Sequence, residues 1–370
     1  MKKILYLMVV FPLMVFAQKN QSQLSKTNGI LYTMPEESEP HEGTWLQWPH
    51  EYQYGETYSN RLDETWIAMT EALVRSEKVH IIAYDEDEKE KIEEMLHEAN
   101  VSLANVDFYI FPTDDFWVRD NGPIYVRDRA GKLLIEDWGF NGWGKKAAFT
   151  NCNAIPSKIS SAQGKTRVDL NSVMINEGGA VEIDGNGTLL TTKSAVLNSN
   201  RNPGMSQAQA EAIFRKYLGV THFIWLNGKA GLEITDMHID GFARFGNSST
   251  LVTMSEDDLA DWQVPDDDID KLYQAKNKSG KPYRIVKLPL TKNAVTTAYG
   301  KELGYKGSYV NYYIANKVVL VPNYHDVNDA VANAIIQKLY PTKEVVGIDV
   351  RNLYANGGMI HCVTQQQPKQ

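Results

Sequence analysis

The sequence predicts an α/β fold on three observations. Short apolar runs with strand character recur along the chain: Val79–Tyr84, Val106–Phe111, His222–Leu226, Tyr283–Leu288, Val318–Pro322 and Glu344–Asp349. Helical stretches separate many of them. Gly-rich hairpin signals fall between, so that strand, hairpin, helix and strand repeat about five times without a strict sequence repeat. This rhythm favours α/β units over separate helical and sheet domains.

The elements can be justified in order. Leu62, Trp66, Met69 and Leu73 fall at i, i+4, i+7 and i+11, one stripe of an amphipathic helix. Val181–Leu190 carries Asp-Gly-Asn-Gly at its centre, where glycine supplies the positive φ of a tight turn between two strands. Ser206-Gln-Ala-Gln209 has the form of a capping box opening a helix that stops near Gly219. Asp326 is expected to cap a further helix that ends before Pro341.

The N-terminus reads as a secretory signal. Lys2 and Lys3 precede an apolar core from Ile4 to Phe16, and Val15-Phe16-Ala17 precedes Gln18 as a small-residue cleavage site. The apolar run is too short to span a bilayer, so export to the periplasm or the exterior is expected. The remaining chain is longer than the roughly 250–300 residues one simple core serves, so two domains or one closed repetitive assembly is expected. A formal net charge of −8 disfavours nucleic acid and anionic membrane as partners and mildly favours cationic ligands. The two cysteines, Cys152 and Cys362, are either one bridge in an oxidising compartment or a bystander and a working thiol.

Several polar segments are candidates for chemistry. Asn356-Gly-Gly-Met-Ile-His-Cys362 delivers a thiol at a strand end. In Asp236-Met-His238-Ile-Asp240 the imidazole and second carboxylate are two apart, which in a strand puts both on one face, suited to proton transfer beside cation binding or to an ordinary surface pair. Asp114–Pro123 is acidic and aromatic. Asp120 there is either an ion-pair partner of Arg119 or a cation ligand in a partly apolar cleft lined by Phe116 and Trp117. Glu177 precedes Gly178 and Gly179, which read as a turn or as a close approach of backbone to a neighbour. Asn311, in Ser308-Tyr-Val-Asn311, is uninformative alone. No Cys/His spacing suggests a metal, and no cofactor is expected.

Taken together, Met34-Pro-Glu, Glu39–Pro49, Trp117-Val-Arg-Asp120, Asp137–Gly144, Glu177-Gly-Gly, Asn198–Pro203, Thr235–Asp240, Ser308–Asn311 and Ile360–Gln365 resemble, in order, the agmatine deiminase family, grouped with the bacterial-type peptidylarginine deiminases. The resemblance runs from about residue 30 to the end. It implies a single catalytic domain over 31–370, after a signal peptide at 1–17 and an extension at 18–30. It also implies the pentein fold, a propeller of about five ββαβ units around a pseudo-fivefold axis with the active site at the centre. Carried over by position, Cys362 matches the nucleophile, His238 the general acid/base and Glu177 the acid that orients it. Asp120 and Asp240 match the carboxylates that grip a guanidinium, and Asn311 matches a further polar site residue. Met237, Asn356 and Met359 depart from the family's usual glycine-rich pattern near the site.

The implied reaction hydrolyses agmatine to N-carbamoylputrescine and ammonia, a step of putrescine and polyamine metabolism. The alternative is an exported enzyme forming citrulline from peptidyl-arginine or free arginine. A non-catalytic binder of cationic ligands is a third reading, which an intact thiol, imidazole and carboxylate disfavour. An amine at the far end of the substrate would suit aromatic walls, for which Trp45, Trp48, Trp117 and Trp143 are candidates. A carboxylate or amide would instead want Arg127, Lys145 or Arg351 nearby. Pairing into a homo-oligomer is an open expectation.

Overall fold

A computed structural model of the chain describes residues 29–55 and 61–370. The expected signal peptide, and the expected extension apart from its last two residues, lie outside the described residues.

Among the described residues the strands form five sheets on one plan, each an antiparallel pair extended by a strand parallel to its neighbour. In the first, Ile124–Asp128 pairs with Leu133–Gly139, which runs parallel to Arg167–Ile175; Tyr32–Thr33 adds an antiparallel edge. In the second, Val181–Ile183 and Thr188–Thr192 are the expected hairpin, and His222–Leu226 lies parallel to the latter. The third joins Arg244–Asn247, Thr250–Thr253 and Arg284–Lys287. The fourth joins Tyr313–Ile314, Val318–Asn323 and Glu344–Asp349. In the fifth, the C-terminal strand Gln365–Pro368 pairs with the N-terminal strand His41–Gln47, and Lys78–Ala83 and Val106–Ile110 continue in parallel.

Every parallel strand is reached through a helix, since a parallel crossover needs a long connection. Burial beneath those helices is why Val79–Ala83 and Val318–Val321 read as apolar runs rather than alternating ones. The Asp63–Leu73 helix buries the expected stripe of Leu62, Trp66, Met69 and Leu73. The Ser206/Gln209 capping box is formed and opens Gln207–Leu218, which Gly219 ends at φ 75°. Asp326 accepts the Asn328 backbone N–H at 2.9 Å, at the start of the Asn328–Leu339 helix. No helix among the described residues is long and apolar enough to cross a membrane.

The structure corrects some expectations. Residues 236–240 form no strand, because Asp236 and Met237 both take left-handed backbone (φ 61° and 76°) and Ile239–Gly241 is a 3₁₀ turn. Gln366 accepts from Arg119, and Gln367 accepts from Trp45 and Tyr125, which anchors the closing strand. Trp45 and Trp48 are core residues. Trp45 packs against Tyr109 with the rings tilted by 49° and donates to the Tyr125 hydroxyl, and Trp48 donates to Asp63 at 2.7 Å.

Asp63 generates a prediction. Burial pushes its carboxyl up to about 7, with the Trp48 hydrogen bond pulling the other way. A folded-state value above the unfolded one stabilises the fold fully below the ordinary carboxylate pKa, and that contribution is lost as pH rises through about 7. Asp63→Asn, neutral throughout and still able to accept from Trp48, should raise the urea midpoint more at pH 8 than at pH 5.

Candidate active site

In all five sheets the turn just before the antiparallel pair carries a candidate residue. Asp120 sits in the helical turn Val118–Asn121, Glu177 immediately precedes the turn Gly178–Ala180, and His238 and Asp240 bracket the start of Ile239–Gly241. Asn311 lies two residues before its strand, and Cys362 lies in His361–Val363. The turns meet through their own polar groups. The Gly179 N–H donates to Asp120 Oδ1 at 3.2 Å, and Asn311 Nδ2 donates to the Asp240 carbonyl at 3.1 Å. The His361 N–H donates to Asn311 Oδ1 at 2.9 Å.

Glycine is required here for space. A Cβ on Gly179 would stand 2.7 Å from His238 Nδ1, 2.8 Å from Asp120 Oδ1 and 3.0 Å from Asp240 Oδ2. The close-approach reading of Glu177-Gly-Gly therefore holds. Gly358 likewise leaves room for the Trp117 ring beside Cys362.

His238 is gripped from both ring nitrogens. Nε2 lies 2.7 Å from Glu177 Oε2, and Nδ1 lies 3.5 Å from Asp120 Oδ1. Burial alone would lower its pKa, but the carboxylates of Asp120, Glu177 and Asp240 outweigh burial and raise it to about 9. Asp120 goes the other way: burial, reinforced by Glu177 and Asp240, lifts it to about 6 against the pull of His238 and of the Trp143 indole, which donates to Oδ2 at 2.8 Å. Burial would also raise Glu177 and Asp240, yet both end below the usual carboxylate range, Glu177 through His238 and Arg201 and Asp240 through His361 and His238.

Cys362 is partly exposed, with Sγ 3.4 Å from Asn311 Nδ2 and 3.8 Å from Asp240 Oδ2. Burial, then the negative charge of Asp240 and Asp120, push its thiol well above the ordinary value. Cys152 is buried elsewhere, its sulfur facing the Asp114 N–H and the Asp115 carbonyl, and both cysteines are free. The bridge is thereby excluded, and Cys152 is a packing residue.

Cys362, His238 and Asp240 line one cavity of about 640 Å³ with Met237, Met359, Trp262, Tyr305 and Tyr354. The tryptophans expected to line it do other work. Trp45 and Trp48 are buried in the core, Trp143 holds Asp120, and Trp117 packs behind Gly358; Trp262 is the tryptophan at the cavity wall. Arg127, Lys145 and Arg351 are not among its lining residues. Arg127 reaches the Lys369 carbonyl and Arg351 pairs with Asp349. The lining lysine is Lys306, paired with Asp261 at 2.7 Å. Asp120 stands behind His238 rather than in the wall, with its oxygens committed to Gly179 and Trp143.

Sequence reasoning missed four charged groups. Arg201 donates through Nε to Glu177 Oε1 and through Nη1 to Asp236 Oδ2, both at 2.6 Å, tying the acid that holds His238 to the loop that carries it. Arg119 does not pair with Asp120. It donates to the His361 carbonyl, to Gln366 and to Glu37. Glu37 and His361 complete the group at 2.8 Å. Three of the four lie inside the motifs quoted above, and Glu37 directly follows one.

Gly179→Ala should lower kcat/KM by about a hundredfold or more through displacement of three site side chains. Its far-ultraviolet circular dichroism should match the parent, and steady-state kinetics check the loss.

Comparison with known proteins finds relatives over nearly the whole chain. Residues 33–368 match the family model for Porphyromonas-type peptidyl-arginine deiminase. An agmatine deiminase of Pseudomonas aeruginosa is 31% identical over 358 residues, covering 91% of this chain and 95% of that protein. Among solved structures, the agmatine deiminase of Enterococcus faecalis superposes with TM-score 0.79 at 26% identity, covering 93% of this chain and 97% of that one. A C. jejuni agmatine deiminase with substrate bound superposes with TM-score 0.77 at 27% identity, covering 92% and 97%. A match over nearly the whole chain, on a mixed α/β fold shared with these enzymes, shows that the chain belongs to the Porphyromonas-type peptidyl-arginine deiminase family.

Proposed function

We propose that this protein is a guanidine deiminase that converts agmatine and water to N-carbamoylputrescine and ammonia, with Cys362 as nucleophile. The observation that carries the reading is one cavity holding a thiol, a carboxylate 3.8 Å from it, and an imidazole whose charge is fixed by buried acids.

The chemistry follows from the charges. In the free enzyme burial, and then the negative field of Asp240 and Asp120, keep the Cys362 proton in place. A bound guanidinium offsets that field, so the thiol ionises to solvent in the complex, and Asp240 fixes the planar cation by charge-assisted hydrogen bonds. The thiolate attacks the guanidinium carbon, and a C–S bond forms. His238, an imidazolium below about pH 9, gives its proton to the leaving nitrogen, and ammonia departs from a thiouronium on Cys362. Neutral His238 then takes a proton from water as it attacks. Collapse breaks the C–S bond and returns the thiolate, and the hydroxyl proton of the adduct passes to solvent to leave the neutral ureido product. Asp120, behind His238, serves in this scheme mainly to hold the imidazole charged; Asn311 steadies Cys362.

The wall supports agmatine. Trp262, Tyr305 and Tyr354 offer aromatic surface to a cationic tail, while Lys306, the lysine among the lining residues, is already neutralised by Asp261. The second reading is an arginine or peptidyl-arginine deiminase producing citrulline. A cavity of about 640 Å³ has room for a bulkier guanidine than agmatine. The propeller arrangement of the five sheets about a pseudo-fivefold axis, export through the N-terminal signal and a place in polyamine metabolism belong to the same proposal.

Incubation with agmatine, free arginine and an arginine-containing peptide, measuring ammonia and ureido product, separates the readings. Agmatine should be the turned-over substrate; turnover of the peptide alone would overturn that choice. Cys362→Ala should abolish ammonia release and keep ligand binding, and undiminished release would sink the mechanism. The kcat/KM profile should be bell-shaped, rising as the Asp120 carboxyl ionises near pH 6 and falling as His238 loses its proton near pH 9.

A further inference from the structure

Directly beside the proposed nucleophile, His361 contributes nothing to the reaction above, yet it is buried and both its ring nitrogens face carboxylates. Nδ1 lies 2.8 Å from Asp240 Oδ2, and Nε2 lies 2.8 Å from Glu37 Oε2. Glu37 is itself fixed. Its Oε1 accepts the Ile314 N–H at 2.8 Å, and its Oε2 also faces Arg244 at 3.0 Å and Arg119 at 3.4 Å. The backbone of His361 is held as firmly, its N–H on Asn311 and its carbonyl on Arg119. The chain Glu37–His361–Asp240 thus runs from the N-terminal segment to the cavity wall, and each member is pinned by groups outside the cavity.

We propose that His361 is a positioning residue that orients the substrate-gripping carboxylate of Asp240, with Glu37 as its anchor. This inference rests on the guanidine-binding role given to Asp240 above. The physical basis is donor geometry. Two acceptors opposite two ring nitrogens are both satisfied only by a ring carrying an N–H on each, which gives His361 a donor to hold Asp240 Oδ2 and a second to hold Glu37. With Oδ2 taken by His361, Asp240 cannot rotate without breaking a charge-assisted bond. Oδ1 accepts no hydrogen bond among the described residues, and Asp240 lines the cavity, so the oxygen left over is the one available to a guanidinium N–H. The arrangement also keeps the carboxylate ionised beside a sulfur, since His361 is a leading influence holding Asp240 low against the burial that would raise it.

Two isosteric variants separate positioning from mere packing. In His361→Asn the amide nitrogen can replace Nδ1 and keep the bond to Asp240. In His361→Gln it can replace Nε2 and keep the bond to Glu37 while Asp240 is released. Positioning predicts that His361→Gln raises KM for the guanidine that the parent turns over by about tenfold to a hundredfold, the worth of one hydrogen bond to a charged group, with a smaller change in kcat. His361→Asn should stay much closer to the parent in KM, whatever the two variants do to the melting temperature. Equal KM effects from the two, or an effect on melting temperature alone, would overturn the proposal.

A substrate-free arm uses protein with ¹⁵N-labelled histidine. His361, assigned by loss of its signals in His361→Asn, should show protected N–H protons on both ring nitrogens. Asp240→Asn should shift the Nδ1–H signal and Glu37→Gln the Nε2–H signal. Absence of the Nδ1–H signal, or its indifference to Asp240→Asn, would contradict the assignment. If the parent turns over no guanidine at all, the functional reading falls, while this arm still decides whether His361 holds Asp240.

Discussion

Four carboxylates, Glu37, Asp120, Glu177 and Asp240, are buried beside His238, His361, Arg119, Arg201 and Arg244, and the organisation of the site depends on pairing these charges out of water. A buried carboxylate without a partner is costly by several kcal/mol, and removing one partner leaves the other charge stranded. No single turn of this chain holds enough charge of both signs. The site therefore exists only when the turns ahead of the five sheets come together, and the closing pairing of Gln365–Pro368 with His41–Gln47 brings the Cys362 turn to the others.

The same pairings divide the labour. Asp120, stabilised by an indole and a glycine N–H rather than by an arginine or lysine, is lifted by burial, whereas Glu177, bonded to His238 and Arg201, and Asp240, bonded to His361, are held low. Three acids around one imidazole keep His238 charged, while burial and two of those acids, Asp240 and Asp120, keep the Cys362 thiol protonated. In the proposed mechanism an empty site is therefore a poor nucleophile, and a cation of the right shape completes the charge balance and activates it, which couples recognition of a guanidinium to reactivity.

Much of this was legible in the sequence. Strands and helices were readable because apolar periodicity and capping residues are local: the stripe from Leu62 to Leu73 and the Ser206/Gln209 box appear in the structure as written. The ordered motifs placed Cys362, His238, Asp240, Glu177 and Asp120 in one neighbourhood. What sequence could not supply is direction and pairing across turns. His238 and Asp240 reach one cavity through two left-handed residues and a 3₁₀ turn, not through strand alternation. Trp45 and Trp48 could not be told from wall residues, because burial of an indole depends on which sheet covers it. One of the two readings open for Asp120 paired it with Arg119, yet the side-chain partners of Arg119 are Gln366 and Glu37, some 247 and 82 residues away in the chain. His361 was hidden beside the more conspicuous thiol.

The central claim is that Cys362 forms a covalent bond to a guanidinium carbon held against it. It is tested most directly by acid quenching of the protein within its first turnovers on agmatine, followed by mass spectrometry of the peptide containing Cys362. The account predicts an adduct equal to the substrate less ammonia, confined to that peptide and absent in Cys362→Ser. Steady release of ammonia with no adduct on Cys362 at any quench time, or an adduct on another residue, would contradict it.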